Sequence, residues 1–183
     1  MAGPTLIPQI LVASKKIGTS FASYTTAKRI INDEDALPIS APWMNVGMEL
    51  RIEGLLAISN VVTAVPTFTL QVNIGSIAVW ISDAIACKAT ASAALPCEFD
   101  VKLRLDSIGK TNAAKFIGNG RYYCPAFNVP NGVWQAGTPA VGTGFGSTVD
   151  DGSAVLDVFG GWSASNASNA VQVVRYNASL FQY

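Results

Sequence analysis

The sequence predicts an all-β fold: an antiparallel β-sandwich, jelly-roll-like, with about eight strands. Three observations carry that expectation. Apolar residues recur at every second position in several stretches, most clearly Phe99, Val101, Leu103 and Leu105 set between Glu98, Asp100, Lys102, Arg104 and Asp106. A helix cannot place those four apolar residues on one face and the five charges on the other, whereas a pleated strand does so automatically. Gly, Pro, Asn and Asp punctuate the chain between such stretches, as turns require. No convincing long helix interrupts the series.

Met1 to Ile17, kinked by Pro4 and Pro8, is expected as an extended N-terminal arm, leaving residues 18–183 as a single β-sandwich domain. Such arms are either disordered or laid on a neighbouring subunit, which makes Leu6, Ile7 and Ile10 candidate contacts. Gly18 to Thr26 reads as a first strand, Lys28 to Ile31 is ambiguous, and Asn32-Asp33-Glu34-Asp35 is an acidic turn that runs on into a loop from Leu37 to Pro42.

Met48 to Ser59 reads as a long strand with Met48, Leu50 and Ile52 opposite Glu49, Arg51 and Glu53. Gly54 suggests a bulge or bend, and beyond it both faces turn apolar, as if covered on both sides. Phe68 to Ile74 alternates cleanly and ends at Gly75-Ser76, a two-residue hairpin turn. The returning strand is expected to point Ile77, Val79 and Ile81 inward and Trp80 to the second face. Glu98 to Asp106 follows, then Ala113 to Tyr123, a strand weakened by Gly118 and Gly120. Residues 125–151 form a long Gly- and Pro-rich loop region. Ala154 to Phe159 and Ala170 to Tyr176 are the last strands, joined by the small polar stretch Gly160 to Asn169.

Composition narrows the function. Twelve basic residues balance twelve acidic ones, so no net field draws the chain to nucleic acid or anionic lipid. Only 13% of the 183 residues are charged, against roughly 25% in an average globular protein, which suits a subunit that buries surface in an assembly. There is no histidine, which removes the usual general base, the Ser-His and Cys-His pairs and the commonest metal ligand. Cys87, Cys97 and Cys124 lack CxxC spacing and read as small buried hydrophobes. Lys15 and Lys16 follow the apolar patch at Ile10–Val12 where a secretory leader would have them first, so the chain is expected to stay in the cytosol where it is made. The uncharged run from Gly54 to Ser82 contains Asn60, Pro66, Gln71 and Asn73 and alternates with period two, which reads as buried strands and not as a membrane span.

Each candidate site has a plainer explanation. Gly142-Thr143-Gly144-Phe145-Gly146 has the glycines of a phosphate loop, but no strand feeds it and no helix follows. Asp150, Asp151 and Asp157 do not have the spacing of an EF-hand, and Asp-Asp-Gly is a common turn. Neither a metal nor a cofactor is therefore expected. The carboxylate pairs Glu98/Asp100 and Glu49/Glu53 alternate with Arg51, Lys102 and Arg104 and read as surface ion pairing, not as a glycosidase pair. With no base–nucleophile constellation, no enzymatic activity is expected. The aromatic contact candidates are Trp80, on the second face of its strand, and Trp134 and Trp162, expected in loops. They suit subunit packing or stacking on a sugar.

Three stretches resemble, in this order, a group of small virion proteins of tailed bacteriophages. They are Val46-Gly47-Met48-Glu49-Leu50-Arg51-Ile52-Glu53-Gly54 running on to Ile58-Ser59-Asn60; Pro66-Thr67-Phe68-Thr69-Leu70-Gln71-Val72-Asn73-Ile74-Gly75; and Leu95-Pro96 with the strand to Asp106 and Ile108-Gly109, with Phe116-Ile117-Gly118-Asn119-Gly120 as the next element. The resemblance spans roughly Thr19 to Tyr123 plus the final strand. It implies a jelly-roll subunit of the virion, of the capsid decoration (cement) type, forming a homotrimer and contacting the major capsid protein or other virion proteins. A tail or baseplate component, or a carbohydrate- or receptor-binding module, are the alternatives.

Overall fold

In the computed structural model the described residues are 9–14, 16–39, 45–60, 65–108, 114–125, 135–136, 141–143 and 154–181. They hold fourteen strands: β1 (Gln9–Ala13), β2 (Phe21–Ala22), β3 (Lys28–Arg29), β4 (Leu37–Ile39), β5 (Glu49–Asn60), β6 (Thr67–Ile74), β7 (Ile77–Ile81), β8 (Ile85–Ala86), β9 (Ser92–Ile108), β10 (Ala114–Tyr123), β11 (Gln135–Ala136), β12 (Val141–Thr143), β13 (Ala154–Trp162) and β14 (Ala170–Phe181). Six of these are pieces of two or three residues at sheet margins, so eight strands of five residues or more remain. The one helical turn among the described residues is a 3-10 turn at Asp33–Asp35. No helix among them is long and apolar enough to cross a membrane.

The strands form two antiparallel sheets. The larger runs β1-β14-β5-β9-β10-β11, with β12 also on β10 and β2 on β14; the smaller runs β3-β13-β6-β7, with β4 on β13 and β8 on β6. Taking β3 and β4 as one interrupted strand, since both pair with β13, the principal strands are β1, β3/β4, β5, β6, β7, β9, β13 and β14. In that numbering one sheet is ordered first-eighth-third-sixth and the other second-seventh-fourth-fifth. This is a long hairpin rolled once on itself, the jelly roll that the sequence predicts. Strand β10 is an addition at the open margin of β9, and β11 and β12 cover it in turn.

Two-residue alternation sets the core. Every second residue of β5 and β6 is buried from Leu50 to Asn60 and from Phe68 to Ile74. In β9 the alternation predicted for 98–106 holds: Phe99, Val101, Leu103 and Leu105 are buried. The tight turns before β5 and after β6 use Gly47 and Gly75 at positive φ, +90° and +59°, where a side chain is strained.

Several expectations are corrected. Of the stretch expected to be an arm, Gln9–Ala13 is a strand paired with the last strand, Gln9 opposite Leu180. Leu37–Ile39, expected in a loop, pairs with Ala154–Leu156 at a sheet margin, where Pro38 costs no ladder bond. Gly54 does not mark a bulge in its own strand; the register shift lies on the partner strand, between Val173 and Arg175 of β14, opposite Leu56 and Leu55. Its missing Cβ instead makes room for the Phe99 ring, which that atom would approach to 2.4 Å. Beyond Gly54, Leu55 and Ala57 are only half-buried, so that half of β5 is not covered on both sides. A register shift between β6 and β7 leaves Val79 out of the pairing and sets Trp80 opposite Val72. Trp80 therefore points inward, while Ile77 and Ile81 are half-buried. Inside the expected 125–151 loop region, Gln135–Ala136 and Val141–Thr143 are strands on β10; its other residues, beyond Pro125, lie outside the described set.

Candidate interaction surface

The outer face of the larger sheet carries the charges that alternate with its core residues. Register fixes how they meet. Across β5 and β9, Glu49 lies opposite Arg104, Arg51 opposite Lys102, and Glu53 opposite Asp100. Across β9 and β10, Lys102 lies opposite Asn119 and Asp100 opposite Arg121. Two of these rows place like charges directly opposite, which is destabilising in a sheet. The side chains escape along the diagonal. Arg51 donates from Nε and Nη2 to the two carboxylate oxygens of Asp100, at 3.0 and 3.1 Å. Its Nη2 also lies 2.9 Å from Glu53 Oε1. Arg121 approaches the same Asp100 carboxylate at 3.7 Å. The Arg51 guanidinium is held further toward its charged form, chiefly by the hydrogen bonds it donates to Asp100, against the desolvation that partial burial brings.

These groups surround a shallow open depression of about 440 Å³, lined by Arg51, Asp100, Lys102, Asn119, Gly120 and Arg121. Three cations face one carboxylate, with Glu53 at the margin. Lys102 and Arg104 make no ion pair among the described residues. The floor is rigid because Gly118 and Gly120 of β10 sit on the core, where a Cβ on Gly120 would approach the Trp80 indole to 2.8 Å. Of the two glycines expected to weaken this strand, Gly120 makes room for the Trp80 indole and Gly118 for the Leu103 side chain.

The acidic turn is the opposite feature. Asp33 is paired with Arg29 at 2.8 Å and Glu34 with Lys16 at 2.9 Å, while both acidic side chains remain exposed, at 95% and 52%. Asp35 is buried and accepts a hydrogen bond from Asn32. Arg29 also reaches Asp157, at 2.5 Å, which is nearly enclosed. Burial raises the Asp157 carboxyl above its usual range, and the hydrogen bond from Arg29 opposes the rise. Asp157 is thus an ion-pair partner within the fold, and Asp150 and Asp151 lie outside the described residues. No group of three or more Cys, Asp or Glu among the described residues is placed to hold a metal.

The predicted contact residues separate. Trp80 is fully buried. Trp162, expected in a loop, ends β13 with 2% exposure and packs on Phe68 with ring centroids 4.9 Å apart. Neither tryptophan presents a face for an external ligand. Ile10 is 69% exposed on the margin strand β1. Leu6, Ile7 and Trp134 lie outside the described residues. What sequence reading missed is the row structure around Asp100. Each charge was visible, but their juxtaposition depends on a register that no single strand encodes. All three cysteines are buried thiols, as expected. Burial pushes Cys87 up to about 12.

Comparison with known proteins places the chain in no family: no family model matches, and no curated protein matches. Distant likenesses appear among solved structures. The CBM2 module of the evolved Dit protein of Lactobacillus casei BL23 phage J-1 aligns at 7% identity and TM-score 0.41, covering 98% of this chain and 99% of that one. A GH43 glycoside hydrolase engineered for endo-xylanase and exo-arabinofuranosidase activity aligns at 9% identity and TM-score 0.35, over 84% of this chain and 36% of its own. The metal-free lectin I-B4 of Griffonia simplicifolia aligns at 7% identity and TM-score 0.28, over 96% and 92%.

Proposed function

We propose that the chain is a non-catalytic structural protein of a tailed-bacteriophage virion, a capsid decoration subunit that binds the major capsid protein and stabilises the shell as a homotrimer. One observation carries this reading. The three stretches that resemble phage virion proteins fall, in chain order, on regular elements of the roll: the Gly47 turn and β5, then β6 with its Gly75 turn, then β9, with Phe116 to Gly120 following on β10. The resemblance thus rests on positions that build the scaffold. A rigid roll with a shallow, polar outer face suits repeated protein contacts, where many weak bonds on a lattice sum to strong attachment. The carbohydrate-binding alternative loses support where Trp80 and Trp162 are core residues, and rests on Trp134 alone of the three.

The test is addition of purified protein to mature capsids and, separately, to tails that lack it. Saturable co-sedimentation with capsids, together with release of packaged DNA at a higher temperature, is the expected result. Binding to tails and not to capsids would assign it to the tail. Binding to neither, with Trp134-dependent retention on a glycan array, would replace the proposal by the sugar-binding reading.

A further inference from the structure

We infer that the cationic depression on the outer face of β5, β9 and β10 receives the acidic turn, Asp33 and Glu34, of a second copy of this chain. The inference rests on the self-assembly part of the proposed function and is independent of what the assembly binds.

The depression has the character of a site awaiting an anion. Arg51 and Lys102 stand directly opposite each other on neighbouring strands, an arrangement that costs stability in an isolated sheet. Asp100 and Glu53 take up the charge of Arg51, but Lys102 has no ion-pair partner among the described residues. Arg51 is fixed through its grip on Asp100, so little side-chain freedom is lost when a carboxylate arrives.

The complementary group lies on the same chain, out of reach of that face. The Asp33–Glu34 tip projects between β3 and β4, at the margin of the smaller sheet. Each of its two carboxylates holds one surface cation, in pairs exposed enough to be weak and exchangeable. With twelve charges of each sign, approaching copies carry no net repulsion, and an exposed acidic turn facing a depression lined by three cations and one carboxylate favours one orientation. A contact between two different surfaces is head-to-tail, and such contacts close into a ring when the rotation permits, as a trimer requires.

Charge exchange tests this on the full chain by sedimentation velocity. Lys102→Glu and Glu34→Lys should each raise the dissociation constant of the oligomer by at least about tenfold. The double variant, in which the signs are exchanged but complementary, should return to within about threefold of the natural chain. The natural oligomer should loosen as salt rises from about 0.05 to about 0.5 M, an arm that stands even where a variant fails to fold. A natural chain that stays monomeric at every concentration overturns this contact and the trimer together. An oligomer indifferent to salt and to both single variants overturns the contact alone. Single-variant losses that the double variant does not restore also overturn it. If Lys102→Glu leaves the oligomer intact but abolishes capsid binding, the depression belongs to the shell.

Discussion

The seam between the two sheets and the outer face of the larger one lie on opposite sides of the same three strands, and they follow different rules. In the seam, shape decides. The Trp80 ring lies against Gly120, the Leu103 side chain lies against Gly118, and the Phe99 ring covers Gly54, with no space for even a methyl group at Gly54 or Gly120. On the outer face, charge decides, in partly solvated pairs with ordinary separations. Interiors packed at crystal density transmit any volume change, whereas exposed ion pairs contribute little to stability. A chain built this way can change its contacts through its charges without changing its fold.

The sharpest way to break that contrast is in the seam. Trp80→Ala should destabilise the chain by about 3–5 kcal/mol, read as a lower midpoint in urea unfolding. An effect below 1 kcal/mol would mean that the ring is not an inter-sheet anchor.

A smaller effect is expected at the Arg29–Asp157 pair, which is neither seam nor open surface. Arg29→Met leaves a nearly enclosed carboxylate without its partner and should cost about 1–3 kcal/mol, less than a fully buried pair because Arg29 is 37% exposed. The pH dependence has a definite sign. The folded Asp157 carboxyl titrates above its ordinary value of 3.8, so folding favours its protonated form. Its contribution is complete below pH 3.8 and is lost as the pH rises through the folded value. The stability of the natural chain relative to Asp157→Asn should therefore fall as the pH is raised through the carboxylate range and level off above it. A rise over that range would refute the assignment.

The smallest effect belongs to the outer face. Arg51→Ala should change stability by no more than about 1 kcal/mol. A larger loss in urea unfolding would show that this face, like the seam, is part of what holds the sheets together.

The same contrast explains what could be read from sequence. Alternation in 68–74 and 98–106 was legible because each strand has one buried and one solvated face. Trp162 was not, because Gly160 and Gly161 precede it and leave no apolar rhythm to follow. The face of Trp80 does not follow from alternation, because one unpaired residue, Val79, inverts the phase of the residues after it. Leu37–Ile39 was hidden by Pro38, which reads as loop unless the strand is known to lie at a margin. The charged residues of the candidate surface could be named, but Lys102 gains its significance only from standing opposite Arg51. That fact belongs to strand pairing and not to local composition.

The pairing of Gln9 with Leu180 has a mechanical consequence. Tension applied across these two positions loads the β1–β14 ladder one hydrogen bond at a time, as a zipper is opened, and not all bonds at once. The roll should therefore begin to yield to pulling at this margin, by peeling of β1, well before the interlocked rings between the sheets feel any load.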